Sequence, residues 1–376
     1  MRILIHAPAA RMGGARAHVL GLVPELASIA PDDEVLLIAQ PDLLDELSPL
    51  PPTWTFRAER APSPGITSQL KQLAWEQRAL PRIARRWRAD VLLSFGSFVP
   101  LRAPCPTVLE AGNALPFTRA YWQVLSREPL LVQVEAHARW ALLLASLRAA
   151  NRVLTPTRAM RVDVVTRVPD LLKKVDVALW GVAPIFRTRR WSRPTSDMTI
   201  LGVSKHGINK EFDVLVAALP ALRRRWPVVR LVLTGTPDES RWSRRSAALA
   251  RRLGVHEAVC FAGAVPNHKI PELIEQAQLL VFPTWCESFG LPLAEALTMG
   301  APAVAADIPA CREVGEDAAC YYASGDPDSL GAIIGDLLAS PETAGALAEA
   351  AYKKGKKFDW RANAQGVRSS LLCAVS

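Results

Sequence analysis

Apolar runs of strand length alternate along this chain with stretches of helical periodicity, and the alternation persists through both halves. In the first half the runs fall at residues 2–7, 34–39, 90–94 and 107–109, and another begins at Val153. In the second half they fall at residues 199–203, 229–235, 259–263, 279–283 and 302–306. Between them, Ala17, Leu20, Val23, Leu26 and Ala27 mark one helical face, and Phe212, Leu215, Ala218 and Leu219 mark another. Strands that are apolar throughout, each followed by a helix, predict parallel sheets covered on both faces. Residues 40–66, rich in proline and acid, read as connections with one short helix, and Pro81 is expected to kink or break a basic amphipathic helix over 68–89.

At 376 residues the chain exceeds the size at which one core usually divides. Two domains are expected, residues 1–186 and 187–359, with a closing helix over 360–376 returning to the first. Half the residues are apolar and 22% are charged, so there is ample material for both cores. No run of about 18 apolar residues is seen, which argues against a membrane span. The opening MRILIHAP is too short before Pro8 for a secretory leader, so a cytoplasmic location is expected.

The densest chemistry lies in residues 279–307. An apolar run ends at Pro283, a loop carries Glu287 and Gly290, and Pro292 opens a helix with Glu295 in its expected first turn. Gly300 and Pro302 close that helix before the next strand. Backbone N–H groups of Phe289, Gly290 and Leu291, placed before a helix N-terminus, suit an anion such as a diphosphate. Carboxylates beside such an anion make sense if they accept hydrogen bonds from vicinal hydroxyls. A ligand with a central diphosphate and hydroxyl-bearing rings at both ends is a nucleotide sugar.

The stretch Glu287-Ser-Phe-Gly-Leu-Pro-Leu-Ala-Glu295 resembles the E-x7-E motif of the family 4 retaining glycosyltransferases. The resemblance implies an α/β chain of GT-B architecture, two doubly wound Rossmann-like domains facing across a cleft, the second binding the donor and the first the acceptor. It implies that Glu295 holds the nucleotide ribose and Glu287 a hydroxyl of the donor sugar, with Ser288, Phe289, Gly290 and Leu291 lining the same loop. Val265 follows the strand at which the family lays the base against backbone, and Gly13 and Gly14 mark the loop near the donor diphosphate and acceptor. Lys210 matches the family's diphosphate-neutralising lysine, while Lys205 substitutes for the usual arginine. Where many members carry a histidine–aspartate pair, this chain reads Glu110-Ala-Gly-Asn-Ala-Leu-Pro-Phe117, and Asn113 and Glu110 are the candidate replacements. Trp180 stands where a small residue or proline is usual.

The implied reaction moves a sugar from a nucleotide-diphosphate sugar, a UDP- or GDP-sugar, to a hydroxyl acceptor with retention, without metal or further cofactor. The acceptor would be a sugar, a lipid-linked molecule or another small molecule in bacterial polysaccharide or glycoconjugate synthesis. The alternatives are a nucleotide-sugar-binding protein of this fold without transfer activity, and an epimerase or phosphorylase. The net charge of +9 favours anionic partners, and with no zinc-finger, helix-turn-helix or RNP signature those are nucleotides or a membrane surface rather than nucleic acid. The tryptophan-bearing helix over 68–89 is expected first to pack its apolar stripe on the sheet, with peripheral contact at the inner face of a membrane as the alternative.

Other residues invite chemistry less. Six scattered cysteines form no C-x2-C pair, so reduced thiols are expected, Cys286 included. His137, within the helical stretch 128–150, is expected in a packing or surface role. Asp326-Pro-Asp328 reads as a helix cap rather than a metal site.

Overall fold

In the computed structural model, residues 1–8, 10–11, 13–47, 49–59, 66–96, 98–195 and 198–376 are described, the side chains of 66–70 excepted. The chain divides into two compact units. One comprises Met1–Gly181 with Asp359–Ser376, the other Val182–Phe358.

Among the described residues, the first unit builds a parallel sheet from β1 (Arg2–Ala7), β2 (Glu34–Ala39), β3 (Trp54–Ala58), β4 (Val91–Phe95), β5 (Thr107–Glu110), β6 (Arg152–Thr155) and β7 (Val175–Val177), in the order β3-β2-β1-β4-β5-β6-β7. The central strands β4 and β5 are buried at every position, Ser94, Thr107 and Glu110 included. β1 pairs in register with both neighbours, Ile3 opposite Val35 and Val91, so the strand order reverses at the β1–β4 seam. Helix Gly13–Ile29 buries His18, Val19, Leu22, Val23 and Leu26. The closing helix Trp360–Val375 adds Ala364, Val367 and Leu371 to the same core.

The second unit repeats the plan with β8 (Thr199–Gly202), β9 (Arg230–Leu233), β10 (Val259–Phe261), β11 (Leu279–Phe282), β12 (Ala303–Ala306) and β13 (Cys320–Tyr322), ordered β10-β9-β8-β11-β12-β13. Its reversal lies between β8 and β11, where Leu279, Leu280 and Val281 stand opposite Ile200, Leu201 and Gly202. In such sheets the carboxyl ends of the strands beside the reversal are where ligands sit. Both units are doubly wound, parallel-sheet α/β domains.

Several local expectations are corrected. Residues 40–66 hold not only helix Pro41–Leu47 but also the strand β3, whose burial is confined to Trp54. Helix Ile66–Trp87 runs through Pro81 without breaking. Its Leu80 and Ala84 pack on Leu4, Ile38 and Leu92, and that burial outweighs the one missing N–H. Leu70, at the expected start of the apolar face of this helix, lies outside the described side chains. Helix Leu130–Ala149 is, by length and composition, apolar enough to cross a membrane, a property that counting unbroken apolar runs does not detect. Its Leu143, Ser146 and Leu147 are buried within the unit.

Candidate functional site

The second unit assembles its polar residues from two loops, one leaving β8 and one leaving β11. An isolated antiparallel bridge joins Lys210 to Thr284. Around it, Trp285 N–H donates to Asn209 O (3.0 Å) and Glu211 N–H to Pro283 O (3.0 Å). Trp285 Nε1 donates to Ile208 O (3.0 Å), and Asn209 Nδ2 to Cys286 O (2.8 Å). Glu211 anchors the far side, accepting from Tyr322 Oη (3.1 Å) and Ser324 Oγ (2.9 Å). Lys210 is therefore fixed at both flanks.

Glu287 is the focus of this arrangement. Its Oε1 is ion-paired with Lys210 Nζ, accepts from Asn209 Nδ2 (3.1 Å), and lies 2.9 Å from the Thr284 hydroxyl. Both side chains of the pair are largely buried, 11% and 14% exposed, so their attraction is only weakly screened. All of these contacts go to Oε1. Among the described residues, none of the hydrogen bonds to Glu287 reaches Oε2, which keeps acceptor capacity.

Beyond Glu287 the chain reaches Gly290, which takes the left-handed conformation (φ +95°) at the N-cap of helix Leu291–Met299. A Cβ there would stand 3.0 Å from the Phe282 ring, so the turn depends on glycine twice over. Ser288 is half-buried, Phe289 fully buried, and Leu291 begins the helix. Because the helix starts at Leu291, Glu295 is its fifth residue and lies past the first turn where the sequence put it. Glu295 is 7% exposed and accepts no hydrogen bond among the described residues. Burial alone pushes its carboxyl up to about 8.

Of the other expected residues, Lys205 is exposed on the β8 loop and Val265 half-buried after β10. The sequence missed His206, which is buried, with Nε2 2.9 Å from Thr234 O. It also missed Glu239, whose carboxylate accepts from the backbone of His206 (3.1 Å) and Thr236 (3.2 Å) and so ties the β8 and β9 loops. Neither belongs to a recognisable motif. Asn209 and Thr284 were detectable only as neighbours of Lys210 and Glu287. Asp326 caps helix Pro327–Ala339, accepting from Asp328 and Ser329 N–H, as its sequence context implies.

In the first unit, Gly13 takes φ +61° and opens helix Gly13–Ile29, followed by half-buried Gly14. Asn113 is exposed, and its Oδ1 accepts from Leu115 N–H (3.1 Å), an Asx-type turn that leaves the amide NH2 outward. Glu110 lies elsewhere in chemical terms. It is buried at the end of β5, accepts from Trp180 Nε1 (3.2 Å), and stands 3.6 Å from His18 Nδ1. Burial pushes Glu110 up to about 8 and His18 down to about 3, so the pair is neutral near pH 7. Trp180 and Trp360 enclose His18 at centroid distances of 4.6 and 5.4 Å. This gives the large residue at 180 its physical reason: it donates to Glu110 and covers His18. A parallel cluster joins His6 Nδ1 to Ser94 Oγ (3.3 Å) near Glu76, but Ser94 is fully buried and donates to Phe98 O (2.8 Å). It is a structural network. His137 is exposed and packs on Trp122 at 4.8 Å.

Comparison with known proteins bears on these sites. Residues 187–354 match the family model described as glycosyl transferases group 1. The chain is 31% identical over 251 residues to a D-inositol 3-phosphate glycosyltransferase of Frankia alni, covering 61% of this chain and 60% of that protein. It spans between 37% and 60% of the length of five such D-inositol 3-phosphate glycosyltransferases. Among solved structures it is similar to a sucrose-phosphate synthase from Thermosynechococcus elongatus, with TM-score 0.77, 16% identity and coverage of 98% and 97%. It is also similar to Anabaena HepE in complex with UDP-glucose, with TM-score 0.75, 18% identity and 99% coverage of both chains. These likenesses, at such low identity, establish the fold, that of GT-B glycosyltransferases.

Proposed function

We propose that this protein is a retaining glycosyltransferase that moves a sugar from a nucleotide-diphosphate sugar to a hydroxyl acceptor. One observation carries the reading. Within the stretch matched by the glycosyltransferase family model, Glu287 is held by Lys210, Asn209 and Thr284 at the carboxyl ends of β8 and β11, beside the start of helix Leu291–Met299.

The chemistry follows from that geometry. An arriving diphosphate competes with Glu287 for the Lys210 ammonium, and Glu287 then turns its oxygens to hydroxyls of the donor sugar. As the anomeric C–O bond to diphosphate breaks, negative charge builds on the leaving oxygen, and Lys210 with the N–H groups before helix Leu291–Met299 stabilises it. The acceptor hydroxyl forms the new bond on the same face, and the departing diphosphate takes its proton. This account requires no carboxylate under the anomeric carbon. Glu295 holds the ribose hydroxyls, Val265 adjoins the base, and Lys205 adds positive charge. Asn113 and the Gly13-Gly14 turn belong to the acceptor-binding unit. A UDP-sugar is the preferred donor, because a neighbour of this fold is described with UDP-glucose bound. The acceptor class is a sugar, lipid-linked or small hydroxyl compound, and the setting is cytoplasmic synthesis of a bacterial glycoconjugate.

The test is a thermal-shift series with UDP, GDP, ADP and dTDP on wild type and Glu295→Ala. Ligands that bind only the folded state raise its melting temperature. One nucleotide should stabilise wild type and lose its effect in the variant. Absence of any shift at millimolar nucleotide, together with no hydrolysis of the corresponding sugars, would sink the donor-site reading.

A further inference from the structure

Helix Leu130–Ala149 turns an apolar face to water. Leu130, Leu131 and Val134 are 75%, 65% and 57% exposed. At 100° per residue they share one side of the helix with Ala138 and Ala141, which are also exposed. The opposite side faces the protein, where Leu143 and Leu147 are buried and Trp140 meets Phe117 and Trp122 at 5.5 and 5.9 Å. The helix is thus apolar on both sides; the side of Leu143 and Leu147 is covered over its C-terminal half, while Val132, on that side near the start, is 42% exposed.

The exposed end is well built. Gln133 Nε2 donates to Glu128 O (2.8 Å) and Ser126 O (3.2 Å), closing the turn that precedes the helix. Trp122 Nε1 donates to Pro116 O (2.8 Å), and its ring lies 4.8 Å from His137. An ordered apolar patch of this kind marks an interaction surface. Its surroundings indicate the partner. Residues 119–139, which hold the patch, carry three arginines against two carboxylates and no lysine. Those arginines, Arg119, Arg127 and Arg139, are exposed and flank the patch along the chain, Arg139 in a loose 4.0 Å ion pair with Glu135.

We propose that this face docks on an anionic lipid bilayer, with Leu130, Leu131 and Val134 entering the headgroup boundary while Arg119, Arg127 and Arg139 meet lipid phosphates. Apolar insertion and charge attraction reinforce one another at such a surface. A second copy of this chain would bring the same exposed Arg119 and Arg127 to the patch, and their repulsion disfavours self-pairing. The helix Ile66–Trp87, for which the sequence offered this role only as the alternative to packing on the sheet, commits Leu80 and Ala84 to the core and keeps fewer apolar groups for lipid.

The experiment is cosedimentation of the full chain with vesicles of phosphatidylcholine alone or mixed with phosphatidylglycerol. Wild type should bind the mixed vesicles at low salt, bind pure phosphatidylcholine weakly, and dissociate as salt rises. Leu131→Ser combined with Val134→Ser should weaken binding about tenfold or more, since each buried methylene contributes to anchoring. Arg127→Gln with Arg139→Gln should weaken it comparably and flatten the salt dependence. These surface changes should leave the melting temperature and its nucleotide response unaltered, which separates this outcome from failure of the donor-site reading. Failure of wild type to bind mixed vesicles at low salt would overturn the proposal. So would undiminished binding by the serine variant, or light scattering that shows a dimer dissociated by that variant without any vesicle binding.

Discussion

At the scale of single residues, Glu287 and Glu295 are carboxylates held in opposite ways. Glu287 is neutralised by a neighbouring ammonium, whereas Glu295 is buried without a hydrogen bond among the described residues. Glu287→Gln keeps an oxygen acceptor for Asn209 and Thr284 but leaves the Lys210 charge unpaired in a largely buried position. Denaturant melts should show a loss of roughly 2 kcal/mol, below the cost of breaking a fully buried pair because the pair is partly solvated. Transfer should fall at least about a hundredfold, the scale seen when one charge-stabilising group is removed. For Glu295 the sign runs through proton uptake. Its carboxyl titrates near 4.5 when unfolded and about 8 when folded, so the native state holds the extra proton in between. The stabilisation is complete below the unfolded value and is lost as pH rises towards the folded one. Glu295→Gln removes that loss, so its melting temperature should gain on wild type between about pH 5 and about pH 8. A constant offset across that range would show that burial does not govern the group. The motif made both glutamates visible in the sequence, but not their partners: Asn209 and Thr284 are short polar residues common in any loop. Trp180 was anomalous in sequence and intelligible only once Glu110 and His18 stood beside it.

At the scale of elements, close approach decides which glycines are irreplaceable. Gly290 needs a left-handed backbone, and any Cβ would press on Phe282. Gly290→Ala should therefore cost roughly 1–2 kcal/mol in a denaturant melt through the backbone alone, and weaken nucleotide binding by shifting the turn before helix Leu291–Met299. Gly355, at the end of helix Pro341–Gly355, is tighter still: a Cβ would stand 2.3 Å from Thr298 Cα. Backbone cannot step aside as a side chain can, so Gly355→Ala should cost more than about 3 kcal/mol, the upper range of ordinary overpacking. If Gly290→Ala proves the more damaging to stability, the helix contact at Gly355 is softer than its geometry indicates. The same physics explains which elements were legible. β11 and β12 are buried along their length and announce themselves as apolar runs, as does β4 but for Ser94. β3 sits at the sheet edge with one buried residue, Trp54, and its alternation carries no apolar face to read. Pro81 misled because local propensity was weighed without the burial of Leu80 and Ala84 that overrides it.

At the scale of the molecule, the repeating order of strand and helix made the two doubly wound units legible, because that order leaves a parallel sheet few alternatives. Less legible was how self-sufficient each unit is. The second has its own core, from Ile200 and Phe212 through Val281 to Leu330 and Ile334. Its ends meet, since Val182 N–H donates to Phe358 O at 3.1 Å and Phe289 packs edge-on against Phe358 at 5.8 Å. The partners of Glu287 come from Asn209, Lys210 and Thr284, all within this unit. A chain cut to Val182–Phe358 should therefore fold in one cooperative transition and be stabilised by the same nucleotide that stabilises the full chain, while transferring no sugar. The measurement is a calorimetric melt of the fragment with and without that nucleotide, beside Glu295→Ala in the fragment. A nucleotide shift that survives in the fragment and disappears in its variant assigns donor recognition to the second unit. A fragment that melts cooperatively yet ignores a nucleotide recognised by the full chain would mean that donor binding needs residues of the first unit, with Gly13, Gly14 and Lys-free loops such as the one bearing Asn113 the first to examine.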